Sequence, residues 1–266
     1  MRHPLRTLGH ASLVGIADAL DSGRLGGPLT RFGLAQHVPD DRVEDVFSAM
    51  VELERDGMAP RHLAHTVRLL AEERAAAQRM ADRVQLVWSP AELDHVDARD
   101  TSVVVQELFR DASRNVLVTT FVLDSGAKAE ALFGELAQKM DAHPELTVRL
   151  VANIQRPLGN REPDSVLVRQ FAQRLRTEVW PGKRVPSLFY DPRSLAIDLP
   201  KKVTMHAKCV VVDSRWTLLT SANFTEAAQD RNIEAGVVVD DQQFAQRVER
   251  QFALLVERGK LVGVVV

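Results

Sequence analysis

The chain has 266 residues, of which 45% are hydrophobic and 26% are charged, and its formal net charge is −2. This composition is typical of a globular protein of one large or two small domains, and it excludes a largely disordered chain. Because the net charge is near zero, binding of a polyanion such as a nucleic acid would require a local patch of basic residues. Cys209 is the only cysteine, which excludes a disulfide framework and a multi-cysteine zinc site.

The sequence gives no sign of a membrane or secretory segment. It contains no apolar run of the roughly 18 residues that a membrane-spanning helix needs. The first residues include Arg2 and Arg6 but lack the apolar core of a signal peptide. We therefore expect a cytoplasmic protein with no membrane partner.

Residues 1–82 are predicted to form short helices. Apolar residues recur there at helical spacing, and glycine or proline follows the first two stretches. The three stretches are 13–20, 43–53 and 63–80. Thr30 is placed to cap a further short helix. We interpret residues 1–82 as a helical N-terminal domain, and a packing bundle is favoured over a helix-turn-helix nucleic-acid reader because no basic recognition face is present.

From residue 83 onward, strand patterns alternate with helix patterns. The predicted strands are 84–88, 115–122, 146–154, 187–190, 205–212, 216–221, 233–239 and 261–266. The predicted helices are 103–112, 127–140, 165–179 and 242–256. This alternation indicates an α/β domain over residues 83–266, with a mostly parallel sheet that is buried on both faces and mixed near the edge of its last strands.

The strongest candidate site lies on the late strands. His206 and Lys208 are two residues apart in a predicted strand and therefore share a face. Ser221 and Asn223 share a face of the next strand, so a hairpin would bring these four side chains to one end of the sheet. A further strand opens with Glu234, whose carboxylate can hold an imidazole in one tautomer.

These residue types suit phosphoryl chemistry. An imidazole such as His206 can act as nucleophile or general acid near neutral pH, and Lys208 is a point charge for a phosphate oxygen. Neutral donors stabilise the charge that builds on a phosphoryl group in its transition state. No Asp/Glu cluster suited to a divalent metal lies beside them, so we expect no cofactor. A single strand histidine is more often a core residue, but the combined spacing is too specific for chance.

The spacing resembles the phospholipase D superfamily, whose signature is His-x-Lys-x₄-Asp-x₆-Gly-Ser-x-Asn. The corresponding positions here are His206, Lys208, Asp213, Thr220, Ser221 and Asn223. The resemblance covers about residues 84–260 and implies a phospholipase-D-like mixed sheet flanked by helices. Thr220 stands where the family has glycine, so we expect its Cβ to crowd the phosphate pocket or restrict the backbone.

The resemblance implies a homodimer that shares one active site. Family members use two motifs for one site, and this chain has one, so two copies of His206 would face each other across a two-fold axis. One His206 would form a phosphohistidine, and the other would protonate the leaving oxygen and then activate water. Lys208 and Asn223 would hold the phosphate, Ser221 would assist, and Glu234 would orient His206.

Weaker signals surround the motif. Asp213 is expected on the other face as structural support, and Cys209 is expected to be an inert core thiol. A basic-rich stretch contains Arg156 and Trp180, and it either lines a nucleic-acid groove with the indole as a stacking platform or is a solvated helix face. Lys202 precedes the motif strand, and with Arg156 and Trp180 it completes the candidate substrate-binding residues.

The chain has a helical N-terminal part followed by a phospholipase-D-like part. This layout also resembles that of the DrmC family, whose members are accessory components of the bacterial DISARM anti-phage system. The two resemblances predict a nuclease or nucleic-acid-processing component whose partners are DNA or other nucleic acid and other DISARM components. Two alternatives stay open: a non-catalytic nucleic-acid-binding or scaffold subunit, and a phospholipid hydrolase.

Overall fold

The structure is a computed structural model that describes residues 3–25, 28–90, 98–198, 200 and 202–265. The chain divides into two compact units, Met1–Asp82 and Arg83–Val266. The first unit is built from helices alone in its described part, and the second contains all of the described strands.

The helices of the first unit enclose one apolar core. They are α1 (His10–Asp21), α2 (Arg31–Ala35), α3 (Val43–Arg55) and α4 (Pro60–Asp82). Ile16, Met50 and Val67 from three of these helices are fully buried in that core. The predicted cap of α2 is confirmed, because the Thr30 Oγ1 accepts a hydrogen bond from the Gly33 amide at 3.1 Å.

The second unit contains a mixed sheet with helices on both faces. Its strands are β1 (Val84–Ser89), β2 (Ala98–Asp100), β3 (Asn115–Thr120), β4 (Thr147–Ala152), β5 (Ser187–Tyr190), β6 (Cys209–Val212), β7 (Trp216–Thr220), β8 (Glu234–Asp240) and β9 (Val262–Val264). Its helices are α5 (Thr101–Asp111), α6 (Ala127–Ala142), α7 (Asp164–Arg174) and α8 (Gln242–Glu257). The described strands are ordered β2-β1-β8-β7-β6-β3-β4-β5-β9.

The predicted α/β class is confirmed, but the expectation of a mostly parallel sheet is wrong. Among the described strands, β1 and β2, β3 and β4, and β4 and β5 pair in parallel, and the other five pairings are antiparallel. The antiparallel strands β6, β7 and β8 lie in the middle of the sheet rather than near an edge. The physical reason is the short turn between Val212 and Trp216, which is far too short for the crossover that parallel strands require.

The two faces of the sheet are covered by different helices. Val210 belongs to a core cluster with Phe133 of α6 and Phe109 of α5, whereas the next residue, Val211, packs with Ala245 of α8. Burial on both faces explains why the central strands read as continuous apolar runs.

The ends of several neighbouring strands lie side by side along one border of this sheet. We call this border, which runs across the strands, the site edge. Because β6 runs antiparallel to β3, Cys209 at its start pairs with Thr119 near the end of β3. The end of β7 and the start of β8 lie at the same edge, where Thr220 pairs with Gly236. The segments 121–124, 153–157, 202–208 and 221–224 therefore emerge at the site edge together.

Candidate active site at one edge of the sheet

His206 and Lys208 lie on an extended segment that leads into β6. The Lys208 Nζ is 3.0 Å from the Nδ1 and 3.0 Å from the Nε2 of His206, and it donates to the His206 carbonyl oxygen at 3.1 Å. The two side chains are therefore on the same side of the chain, as their spacing predicted. A neutral imidazole has one acceptor nitrogen, so only one of the two ring contacts is a hydrogen bond at any moment.

The predicted strand 205–212 begins later than expected, at Cys209. Beyond the end of the backbone pairing between β3 and β6, the side chain of Thr119 provides the hydrogen bonds to this segment. Its Oγ1 accepts from the Cys209 amide at 3.0 Å and donates to the Ala207 carbonyl oxygen at 3.1 Å. These two bonds hold the segment before β6 against β3, and the Lys208 carbonyl oxygen still accepts from the Thr220 amide at 3.1 Å, while His206 is exposed.

The two site residues differ strongly in exposure. Lys208 is 7% exposed, whereas His206 is exposed. Burial lowers the pKa of the Lys208 ammonium, and the nearby negative charge of Glu234 partly offsets this effect. A desolvated cation thus lies beside an accessible imidazole.

Phe121 is a site residue that the sequence analysis missed. Its ring centroid lies 5.2 Å from that of His206, and the Lys208 Nζ is 6.0 Å from the same centroid. Phe121 is the first residue after β3, and its place beside His206 depends on the antiparallel pairing of β3 with β6. That pairing is not visible in the local sequence.

Ser221 and Glu234 contact each other where β7 and β8 meet. The Ser221 Oγ donates a short hydrogen bond to the Glu234 Oε2 and accepts one from the Ala235 amide at 3.1 Å. The structure thus pairs Glu234 with Ser221, while His206 contacts Lys208. The orientation of His206 by Glu234 stays a prediction.

Asn223 carries an unsatisfied polar atom at the site edge. Its Oδ1 is buried and has no hydrogen-bond partner among the described residues. The next residue, Phe224, is almost fully buried, and its amide donates to the Thr120 Oγ1 at 3.4 Å, which anchors this segment beside β3. Leaving a buried amide oxygen unpaired costs about 1–3 kcal/mol. Such an atom is typical of a site that a ligand or water completes.

Thr220 does not strain the backbone as the sequence analysis expected, whereas crowding of the phosphate pocket stays a prediction. Among the described non-glycine residues, only Asp213 and Ser214 adopt a positive φ, so Thr220 needs no glycine-like backbone. Its cross-strand partner is Gly236, where an added Cβ would lie 2.9 Å from the Thr220 Cβ and 2.6 Å from the Leu219 carbonyl oxygen. Gly236 has no side chain, and the space beside it accommodates the Cβ of Thr220.

Asp213 lies at the opposite end of β6 from His206. Its carboxylate accepts hydrogen bonds from the Ser113 Oγ at 2.6 Å and from the amides of Ser113, Arg114 and Asn115 at 2.7–3.0 Å. Partial burial raises the pKa of this carboxyl, but these hydrogen bonds outweigh that effect and hold the pKa below its usual value. The side chain joins the β6–β7 turn to the start of β3.

Arg156 and Trp180, which the sequence analysis assigned to substrate binding, have internal partners. The guanidinium of Arg156 is buried and donates to the carbonyl oxygens of Leu195 and Glu162, both at 2.7 Å, and to Asp164. The Trp180 indole is buried in the core and donates to the Arg184 carbonyl oxygen at 2.6 Å. Neither side chain presents the free face that a substrate contact requires, so this part of the expectation is corrected.

Lys202 and Cys209 flank the site residues in the segment before β6 and at its start. Lys202 is half-buried at the start of the segment before β6, whereas Lys201 lies outside the described residues. The Cys209 thiol is buried, which raises its pKa to about 11 despite a contact with Thr119. A thiol of this kind is unreactive at neutral pH.

A family model described as "Cardiolipin synthase, PLD-like domain" matches residues 105–256, which is more than half of the chain and includes the whole candidate site. The chain belongs to this phospholipase-D-like family. The match begins within α5 and ends within α8, so it lies inside the second unit. No curated protein matches the chain.

Solved structures of phospholipase-D-like proteins are also similar to the chain. Nuc from Salmonella typhimurium, a phospholipase D family member, is 18% identical with a TM-score of 0.42, and the match covers 69% of this chain and 98% of that one. NucT from Helicobacter pylori is 13% identical with a TM-score of 0.44, over 68% of this chain and 98% of that one. Phosphatidylserine synthase from Haemophilus influenzae Rd KW20 is 15% identical with a TM-score of 0.48, over 78% of this chain and 48% of that longer one.

Two features are absent from the described part of this phospholipase-D-like chain. No helix there is both long enough and apolar enough to cross a bilayer. Within the same residues, no group of three or more His, Cys, Asp or Glu side chains is arranged to hold a metal ion.

Proposed function

We propose that this protein is a metal-independent phosphodiesterase that cleaves nucleic acid through a phosphohistidine intermediate. The observation that carries the proposal is the contact between the exposed imidazole of His206 and the buried ammonium of Lys208. An accessible nucleophile beside a desolvated cation is the arrangement that attack on a phosphate anion requires. The Ser221–Glu234 pair and the unsatisfied Asn223 lie at the same edge of the sheet.

The reaction has two displacement steps. In the first, a neutral ring nitrogen of His206 attacks phosphorus, and the bond from phosphorus to the leaving oxygen breaks. The leaving oxygen takes a proton from His206 of the partner subunit. In the second step, water gives a proton to that same imidazole and attacks phosphorus, and the phosphorus–nitrogen bond breaks to release a phosphomonoester.

The remaining side chains stabilise the phosphoryl group. Lys208 binds a non-bridging phosphate oxygen, and its burial strengthens that attraction because little water screens it. The amide of Asn223 and the hydroxyl of Ser221 complete the set of polar contacts. Asp213 acts at a distance as structural support for the strand that carries His206 and Lys208.

A homodimer supplies the second imidazole. Four exposed apolar side chains lie on segments that follow or precede strands of the second unit. Val122 follows β3, Leu158 lies in the loop after β4, Ile197 lies between β5 and β6, and Ile233 immediately precedes β8. Of these, Leu158 and Ile233 are 100% and 78% exposed. A second copy of the chain that covers these side chains would complete the site.

We further propose that the protein is a nuclease or nucleic-acid-processing component of the bacterial DISARM anti-phage system, which acts in the cytoplasm with other DISARM components. It is supported by the two-part layout of the chain and its resemblance to the DrmC family. A phospholipid hydrolase or a non-catalytic scaffold is an outcome of the test below.

The test is cleavage in EDTA of single-stranded DNA, double-stranded DNA, RNA and phospholipid vesicles by wild type, His206→Ala and His143→Ala. His143 is an exposed histidine of the same unit that lies outside the site, so it is the matched control. We expect nucleic-acid cleavage by wild type and His143→Ala only, and an acid-labile covalent adduct between the protein and the cleaved nucleic acid in rapidly quenched wild type. Equal cleavage by His206→Ala, or headgroup release from vesicles without cut nucleic acid, would contradict the proposal.

A further inference from the structure

A pocket of about 380 Å³ opens at the site edge beside the candidate active site. Its walls come from the segments after β3 and β4 and from one face of α7. The side chains that matter for its chemistry are Phe121, Asn153, Gln155, Gln170, Phe171 and Arg174. Its volume is within the range of pockets that hold one small organic group.

Two of its lining residues connect the pocket to His206. The ring of Phe121 lies 5.2 Å from the His206 ring, centroid to centroid, so one side chain borders both the pocket and the imidazole. The Asn153 Oδ1 accepts a hydrogen bond from the amide of Met205, the residue before His206, at 3.1 Å. The pocket therefore lies beside the place where a phosphate would bind at His206.

The lining fits a planar, polar, uncharged group. Phe121 and Phe171 provide aromatic faces for stacking. The amides of Gln155 and Gln170 both donate and accept, which suits the edge of a heterocyclic base. Arg174 at the rim is exposed, donates to the Leu123 carbonyl oxygen at 3.1 Å and pairs with Glu178 at 3.9 Å. None of the described lining residues is acidic, so the lining itself offers a cationic headgroup no carboxylate.

The pocket wall is held in place without a ligand. The buried guanidinium of Arg156 binds the Leu195 and Glu162 carbonyl oxygens, Asn160 and Asp164, and thereby fixes the loop from Asn153 to Asp164. This loop carries Gln155 into the lining. A wall fixed in advance reduces the entropy cost of binding.

We propose that this pocket binds one unstacked nucleobase, adjacent to the phosphate at His206, so that the substrate is single-stranded nucleic acid. The assignment rests on the proposed function and adds its substrate class. A base inside a duplex is stacked on both faces and cannot enter a side pocket unless it is flipped out. An unpaired base enters freely and exchanges stacking on its neighbours for stacking on Phe121 and Phe171.

Binding measurements test this inference independently of cleavage. Full-length His206→Ala protein, which cannot turn over substrate, receives Phe171→Leu, Gln170→Ala or Gln173→Ala. Gln173 is an exposed glutamine of the same helix outside the pocket lining, so it is the matched control. Fluorescence anisotropy then reports the Kd for a labelled single-stranded oligonucleotide, for the same strand with its bases replaced by abasic units, and for the duplex.

We expect Phe171→Leu to weaken binding of the normal strand about tenfold, Gln170→Ala several-fold and Gln173→Ala not at all. On the abasic strand the Phe171→Leu loss should disappear, because the stacking partner is already gone. Duplex DNA should bind more weakly than the single strand. Identical affinities of all three variants, an unchanged Phe171→Leu loss on the abasic strand, or preference for the duplex would overturn the assignment.

Hydrolysis of a small diester, methyl 4-nitrophenyl phosphate, separates this inference from the proposed function. If wild type hydrolyses it through His206 while the pocket variants bind oligonucleotide normally, the base pocket is wrong and the phosphodiesterase stands. If the pocket variants lose oligonucleotide binding as expected but wild type hydrolyses no diester, the phosphodiesterase is wrong and the base pocket stands.

Discussion

The two ends of β6 hold their charged groups in opposite ways. At the turn, the Asp213 carboxylate receives four hydrogen bonds from Ser113 to Asn115, and its pKa lies below the usual value. At the site edge, the Lys208 ammonium is buried against an imidazole, and its pKa is lowered by that burial. One end of the strand is stabilised by its charge, whereas the other carries a charge that disfavours the folded state. This contrast supports the proposal that the site edge receives an anion.

The largest effect we expect is that of Lys208→Met at the site edge. Removing the cation should lower the phosphodiesterase rate about 10³-fold, because the phosphate loses its desolvated partner. The lowered pKa means that the folded state disfavours the protonated lysine, a cost that is present at neutral pH and disappears only as the pH rises toward the ordinary lysine value. The melting temperature of the variant should therefore equal or exceed that of wild type. Calorimetry and a rate assay on the same sample measure both, and a large fall in melting temperature would break the contrast.

The opposite behaviour is expected of Asp213→Asn at the turn. The amide keeps one acceptor oxygen and loses the charge, so the free energy of unfolding should fall by about 2 kcal/mol. The rate per folded molecule should change little, since this carboxylate lies far from His206. Urea denaturation and an active-site-normalised rate measure these quantities, and a variant that is stable but inactive would require Asp213 to act in catalysis.

The pH dependence of stability sharpens the same contrast. Because the folded pKa of Asp213 is lower than the unfolded one, its contribution is fully present above the unfolded value and is lost as pH falls through the folded value. The difference in unfolding free energy between wild type and Asp213→Asn should be constant from about pH 5 to 8 and shrink below about pH 4. Denaturation curves across this range measure it, and a difference that grows in acid would have the wrong sign.

The smallest effect is expected at the Thr220–Gly236 pair. Thr220→Gly removes the Oγ1 that accepts from the Ala222 amide at 3.0 Å, and it should cost about 1 kcal/mol of stability with a less than threefold change in rate. Gly236→Ala should cost more, because its Cβ meets backbone as well as Thr220. Combining the two substitutions should recover part of that loss. Strict additivity in this double-mutant cycle would show that the two positions do not share space.

The sequence was sufficient to predict most helices and the side on which His206 and Lys208 meet. Those predictions rest on local spacing, and a two-residue spacing brings the two side chains together even in the extended segment before β6 begins. The short strand Ala98–Asp100 could not be predicted, because three residues carry no periodic signal. The central position of β6 to β8 was also missed, since strand order depends on contacts between distant segments.

The substrate-binding residues show the same limit. Arg156 and Trp180 were chosen for residue type, but the surrounding fold uses their donors internally. Phe121, a weak candidate by residue type, lies against His206 because of the strand pairing. Residue types in the sequence show which functional groups the chain contains. The strand pairing and loop contacts determine which of those groups are available to a substrate.

The central claim is that two copies of His206 share one active site. It is tested most directly by mixing wild type with His206→Ala, allowing the subunits to exchange fully, and measuring total phosphodiesterase activity. After full exchange about a quarter of the dimers contain two wild-type chains, and only these have both imidazoles. The mixture should therefore retain about a quarter of the activity of a sample with the same total protein concentration that is all wild type. Retention of about half, in proportion to the wild-type chains present, would mean that one chain cleaves alone and would contradict the shared site.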